Sequence, residues 1–273
     1  MSETQQLVEY RGNCHCGAFK FKVKVPELKA AIKCTCSICS KNGYLLALPD
    51  RDQFTVVEGD ENTTLKTYLF GKKMIAHKFC PTCGTSVMKA RLPHSTVPGP
   101  EMAINIRTLE DVDFDSLVLS AFDGANLLKP PYQVPEAVAA GFVAEGTTVY
   151  NGNCHCGAVT YTLLSPEKIS KATSCNCSIC RRDGALWIYP KTTTVNFKGL
   201  DSAVEYTFAT KQSLHVYCKT CGVAVYTRFV GTREGEEIAL NLRTMNGLDL
   251  TELDIKKLDG KLWPPVYDAW GGN

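Results

Sequence analysis

Cys34-Thr35-Cys36-Ser37-Ile38-Cys39 recurs within the same chain as Cys175-Asn176-Cys177-Ser178-Ile179-Cys180. Three thiols this close together can grip one metal ion as a local chelate, but a tetrahedral zinc site takes four ligands. One position is left over at each copy. In a structural site a fourth protein ligand fills it, whereas a catalytic site keeps it for water or substrate.

Outward from these triads the chain repeats itself. Gly12-Asn13-Cys14-His15-Cys16-Gly17-Ala18 returns as Gly152-Asn153-Cys154-His155-Cys156-Gly157-Ala158, at an offset of 140, and the triads return at 141. His77-Lys78-Phe79-Cys80-Pro81-Thr82-Cys83-Gly84 matches His215-Val216-Tyr217-Cys218-Lys219-Thr220-Cys221-Gly222 at an offset of 138. Asn105-Ile106-Arg107-Thr108 matches Asn241-Leu242-Arg243-Thr244, and Asp123-Gly124 matches Asp259-Gly260, both at 136. So small a drift means short insertions and deletions only, so each half is expected to carry the same fold. The expected layout is a first zinc domain over 1–132, a connector over 133–147 and a second zinc domain over 148–273.

Composition agrees with an ordinary globular protein: 44% of the 273 residues are hydrophobic and 21% charged. A net charge of +2 gives no basic stripe for a phosphate backbone, so nucleic acid is not an expected partner. The first residues are polar and no apolar run reaches the ~18 residues of a membrane span, so no membrane association and a cytoplasmic location are expected. In that reducing setting, 14 cysteines grouped as CxC, CxCxxC and CxxC point to metal and away from disulfides.

Period-two alternation through 18–25, with lysines between apolar residues, predicts a half-buried strand. Shorter β-rich runs follow at 44–48, 54–57, 65–70, 86–89 and 102–106, and the second half repeats them, as at 158–164 and 238–242. Helix is expected only as a turn or two near 113–119 and 250–257.

Cys14, Cys16, Cys80 and Cys83 make one proposed ligand set, and Cys154, Cys156, Cys218 and Cys221 its counterpart. Each pair ends in glycine (Gly17, Gly84, Gly157, Gly222), which supplies the left-handed backbone of a tight metal knuckle. Two closed four-cysteine sites would then staple the two sheets as structural zinc centres. After the triads the glycine is delayed to Gly43 and Gly184, and no further knuckle remains to close them. The triads are read as open metal sites; the alternatives are thiols without metal, or closure by His77 or His15.

Four of five histidines recur in equivalent places. His15 and His155 lie between two ligands and are expected to face solvent. His77 and His215 lead into the second knuckle and face either the open site or the core. Lys41, Arg181 and Arg182 follow the triads, where a cation lowers thiol pKa and attracts an anionic substrate. Arg107 and Arg243 are further candidates for clamping a carboxylate, with an ion pair to Asp123 or Asp259 as the structural alternative.

The order GxCxCGA, CxCSxCxxxG, HxFCxxCGT, NxRT, DG resembles the glutathione-dependent formaldehyde-activating enzyme family, also known as the centromere protein V domain family, in two tandem copies. The resemblance implies a mainly β architecture of two zinc-binding β-tent domains. It implies two structural zinc ions on the four-cysteine sets, and up to two catalytic ones on Cys34, Cys36, Cys39 and on Cys175, Cys177, Cys180. It also implies condensation of formaldehyde with glutathione to S-hydroxymethylglutathione, formally a carbon–sulfur lyase reaction in reverse. Tyr217 for Phe79 and Val223 for Thr85 are departures in the second half that touch no ligand.

Residue chemistry points the same way. Three thiolates leave zinc with a charge of about −1, a poor generator of hydroxide but able to hold a soft sulfur ligand. The expected partners are therefore a small-molecule thiol and an aldehyde. The rival from another class is a zinc scaffold that binds a protein partner. It needs only the four-cysteine staples, so the triad in both halves speaks against it. Methionine sulfoxide reductase, with two CxxC pairs and an isolated redox cysteine, fits the spacing less well.

Overall fold

The computed structural model describes residues 6–271, and in it the chain is mainly β, as expected. Of these residues, 6–40, 44–132 and 268–271 form one compact unit, and 41–43 with 133–267 form the other. No helix among the described residues is long and apolar enough to cross a membrane.

In the first unit Leu7–Asn13, Lys20–Pro26 and Phe54–Glu58 make a three-stranded antiparallel sheet. Along Lys20–Pro26 the lysines look outward while Phe21, Val23 and Val25 are buried, as the alternation requires. Phe21 is the pivot of that core, with Phe19 at 6.1 Å and Phe54 at 4.9 Å between ring centroids. Each such fully buried ring is worth about 1.5–3 kcal/mol of apolar burial.

The larger sheet has seven strands, ordered Val118–Phe122, Ala30–Cys34, Leu46–Ala47, Met102–Asn105, Ser86–Arg91, Ile75–Phe79, Lys66–Tyr68. Ala30–Cys34 delivers the first triad cysteine at its end, and Ile75–Phe79 runs into the Cys80 knuckle.

The second unit has the same plan. Thr148–Asn153, Thr160–Ser165 and Val195–Lys198 form its small sheet. Its seven-stranded sheet runs Asp254–Leu258, Lys171–Cys175, Trp187–Ile188, Ile238–Asn241, Ala224–Phe229, Ser213–Cys218, Ala203–Tyr206. Tyr161, Phe197 and Tyr226 pack together as tilted rings, with centroid spacings of 5.7 and 4.5 Å. Residues 133–147 carry neither helix nor strand. The Val138 carbonyl accepts from Thr162 Oγ1 at 2.6 Å, which ties this stretch to its own unit.

Helix is not where local sequence placed it. The stretches expected to be helical near 113–119 and 250–257 lead instead into the strands Val118–Phe122 and Asp254–Leu258. These pair in parallel with Ala30–Cys34 and Lys171–Cys175. Each is an edge strand whose ladder to a distant partner pairs the inward-facing backbone groups, and this tertiary pairing overrides a weak local preference. Of the short α-helices that do form, Ser37–Lys41 and Ser178–Asp183 follow the triads directly, and Gly124–Leu127 is capped by Asp123.

Candidate metal centres

The four-cysteine sets assemble as two knuckles in each unit. Backbone bonds from Gly17 to Cys14 O (2.9 Å) and from Gly84 to Cys80 O (2.9 Å) close the turns, and the glycines take φ of +79° and +76°. Gly157 and Gly222 repeat this at +79° and +72°. Cys14 Sγ lies 3.6 Å from Cys16 Sγ, which lies 3.5 Å from Cys80 Sγ; the second unit gives 3.6 and 3.5 Å for the matching pairs.

A zinc tetrahedron with Zn–S of about 2.3 Å has edges near 3.8 Å, so both sets fit that ion as they stand. All sulfurs in each set lie within 4.8 Å of one another. Backbone N–H groups of Phe19 and Val159 point at Cys14 and Cys154 Sγ, both at 3.3 Å, a bond that favours the thiolate. Without a cation the clustered thiols shift apart: neighbours push Cys14 up and pull Cys80 down. A divalent ion removes that conflict.

Each triad is a loop-and-helix chelate. Cys34 ends a strand, Cys36 precedes the helix Ser37–Lys41, and Cys39 lies inside it. The delayed glycines end the helical turns: Gly184 is the left-handed cap at φ +59°, bonding Cys180 O, and Gly43 sits at φ +55° before Tyr44 N bonds Cys39 O. The three sulfurs of each triad also lie within 4.8 Å of one another. Bonds from Cys36 and Cys39 pull Cys34 down to about 2, and bonds from Cys177 and Cys180 pull Cys175 down to about 3. Cys36 is pushed up by Cys34, and Cys177 is pushed up to about 11 by Cys175. Crowded thiols thus resist sharing negative charge, a conflict that a bound cation would relieve.

Each triad is roofed by the Asp-Gly pair that recurs near the end of its half. Asp123 accepts from Thr35 Oγ1 at 3.3 Å and from Asn126 Nδ2 at 2.8 Å; Asp259 accepts from Asn176 Nδ2 at 2.6 Å. These carboxylates order the triad loops, in place of the ion pairs with Arg107 and Arg243 considered from sequence.

Several proposed substrate residues have other employment. Lys41 is buried, with its ammonium on two backbone carbonyls at 3.1 Å, and burial draws it down to about 8. Arg182 is 2% exposed, folded back on Ser178 O at 2.8 Å and over the Tyr267 ring at 4.9 Å. Arg181 is half-buried in the same helix. Arg107 stacks over Phe114 at 5.3 Å, and Arg243 Nε donates to Gly184 O. Lys41, Arg182 and Arg243 thus each bond backbone carbonyls of their own protein, as a strut would.

The NxRT motif forms a local backbone cap. Asn105 Nδ2 bonds Ser86 O at 2.9 Å, its Oδ1 caps Arg107 N, and Thr108 Oγ1 bonds Asn105 O at 2.6 Å. Asn241, Arg243 and Thr244 repeat the cap.

His15 and His155 are 3% and 4% exposed, contrary to the expectation of solvent. Burial, with the Lys41 charge adding to it, takes His155 down to about 4. His77 is buried, stacked on Phe79 at 5.8 Å, with Nδ1 2.8 Å from Tyr44 Oη. His215 is stacked on Phe208 at 5.6 Å with Nδ1 3.1 Å from Thr227 Oγ1.

Opposite His77 in the antiparallel ladder stands Lys89, on the same face of the sheet, and its ammonium reaches Cys39 Sγ at 3.2 Å. Burial alone would lower this lysine, but the charges of Cys39, Cys36 and Cys34 hold it above its ordinary range. In the second unit Trp187 Nε1 donates to Cys180 Sγ at 3.3 Å. Sequence reading missed Lys89, Tyr44 and Trp187. A lysine at an inward position of a strand, facing a histidine, was the available signal for the first.

A family model for glutathione-dependent formaldehyde-activating enzyme matches residues 9–117 and again 149–257. The chain belongs to this family, in two tandem copies. A Halomonas elongata protein that carries the provisional name glutathione-dependent formaldehyde-activating enzyme is 40% identical over 58 residues, or 20% of this chain and 37% of that protein. The chain thus spans little more than a third of that relative's length. A Rhodobacter sphaeroides protein of known crystal structure aligns at 27% identity over 40% of this chain and 99% of its own, with a TM-score of 0.36.

Proposed function

We propose that this family member is a zinc-dependent enzyme that joins glutathione to formaldehyde as S-hydroxymethylglutathione, and splits that adduct in reverse, using β-tent domains. The observation that carries the reading is the buried three-thiol cluster, set apart from a closed four-thiol cluster and faced by Lys89. A purely structural protein of this design would need only the closed set.

Zinc held by Cys34, Cys36 and Cys39 would offer one further position suited to a soft sulfur ligand in its deprotonated form. Lys89, in contact with Cys39, would favour negative charge there, and the buried Tyr44–His77 pair would help keep the wall dry. Dryness matters because bulk water competes with the thiol for formaldehyde, and a closed wall strengthens the field of Lys89. In the reaction a sulfur lone pair forms the C–S bond to the aldehyde carbon. The C=O π pair moves to oxygen, and that oxygen takes up the proton the thiol gave away. No electrons are gained or lost overall.

Carbon-13 formaldehyde and glutathione incubated with the zinc-loaded protein test this by NMR. Equilibration of the S-hydroxymethyl resonance should run well above the uncatalysed exchange, and Cys36→Ser should remove most of the gain. Exchange at the uncatalysed rate, with no glutathione binding by calorimetry, would replace the enzyme reading with that of a zinc scaffold for a protein partner.

A further inference from the structure

The two triads have the same three cysteines but different surroundings. In the first unit the residue facing His77 across the ladder is Lys89; in the second the residue facing His215 is Thr227. Tyr44, two residues before Leu46, has Ala185 as its counterpart, two before Trp187. The donor to the third cysteine therefore changes from an ammonium, Lys89 on Cys39 at 3.2 Å, to a neutral indole N–H, Trp187 on Cys180 at 3.3 Å.

The second triad is also embedded in an apolar cluster, with Trp187, Ile179 and Ala239 in the core and Phe208, Phe229 and Leu258 packed against it. Arg233 lies beyond that wall, over the Phe229 ring at 3.9 Å and paired with Glu237.

We propose that the triads are unequal by design: Lys89 makes the first the thiolate-accepting site, while the second keeps its metal but takes an anionic thiol poorly. This rests on the thiol–aldehyde reading above and adds which triad serves it. The argument is one of charge. A divalent ion on three thiolates carries about −1, and a fourth thiolate brings it to about −2. Inside a low-dielectric wall such an accumulation is strongly disfavoured unless a cation accompanies it. Lys89 returns the first site to about −1. At the second, a hydroxyl and an indole offer dipoles only, among hydrocarbon side chains. By the same logic the second site tolerates a neutral fourth ligand better than an anionic one.

Cobalt-loaded protein tests this without reference to turnover, because thiolate-to-cobalt absorption reports sulfur entering each site. Cys177→Ser leaves the first triad to be read, and Cys36→Ser leaves the second. Glutathione should saturate the first at a concentration at least about thirtyfold lower than the second, the scale of removing one partner of a buried charge pair. In the Cys177→Ser background Lys89→Thr should lose that advantage and Lys89→Arg should keep most of it. In the Cys36→Ser background Thr227→Lys should strengthen binding severalfold, which decides the matter even where Lys89→Thr fails to fold.

Equal affinity at both triads, stronger binding at the second, or no effect of Lys89→Thr in a folded, cobalt-loaded protein would each overturn the inequality and leave the thiol reading standing. Glutathione silent at both triads would remove that reading and this inference with it.

Discussion

A β-carbon built on Gly260 would stand 2.6 Å from Sγ of Cys175. In the first unit the same construction on Gly124 falls 2.5 Å from Sγ of Cys34 and 3.0 Å from Cβ of Cys36. Glycine is required at both places because backbone crosses directly over a triad sulfur, with no room for a methyl group. Gly124→Ala and Gly260→Ala should therefore cost about 1–3 kcal/mol through overpacking and displace one sulfur. The expected readout is loss of the triad's metal at a chelator concentration about tenfold lower than in the parent, with the four-cysteine metal unmoved. Unchanged metal retention would show that the Asp-Gly turn yields freely and does not shape the site.

Closed and open sites should separate under chelation and mutation. A complete four-thiolate zinc site contributes about 10–16 kcal/mol of apparent binding energy to folding. Two zinc ions per chain should survive mild chelation, and up to two more should be lost. Cys14→Ser or Cys218→Ser should abolish the cooperative fold of its unit, whereas Cys36→Ser or Cys177→Ser should leave circular dichroism unchanged and Tm within a few degrees. Equal loss of Tm in both classes would make the triads structural.

What the sequence shows and hides follows from the range of the interactions involved. The grouping of the cysteines was legible because each turn is local and the whole pattern occurs twice. The alternation at Phe21, Val23 and Val25 marked a strand for the same reason. Val118–Phe122 was not legible, because its five residues are exposed and owe their conformation to a parallel partner at Ala30–Cys34. Lys41 and Arg182 looked like a cationic rim by their position after the triads, yet the short helices turn both inward. Spacing in sequence fixes which residues are near a site, and the direction of each side chain is settled by packing.

Burial places His215 at about 4, below the ordinary value near 6.5. Its unfolded form thus binds the proton first as pH falls, so stability contributed by neutral His215 is fully present above about 6.5. It is lost as pH falls towards about 4, to a limit on the order of 3 kcal/mol. His215→Gln should flatten the fall in denaturant stability between pH 6.5 and 4 relative to the parent, and metal loss common to both proteins cancels in that difference. Parallel curves would mean that the imidazole is solvated when protonated.

Arg243 offers the last test, since its place in the fold separates a strut from a substrate anchor. Its Nε donates to the carbonyl of Gly184, the left-handed residue that ends the helix carrying Cys180. Burial draws the guanidinium down to about 10, so it stays cationic near neutrality while giving its charge to a backbone dipole. Removing it orphans that carbonyl and loosens the turn behind the second triad. Arg243→Met should cost about 1.5–3 kcal/mol, the range for hydrogen bonds to charged groups, and should speed release of the second triad's metal only. Lysine should rescue poorly, because a point charge on a flexible stem does not reproduce the planar fork. A substrate anchor would behave in the opposite way, with Tm and metal release unchanged and glutathione affinity lowered. That pattern would return Arg243 to the role its sequence position first suggested.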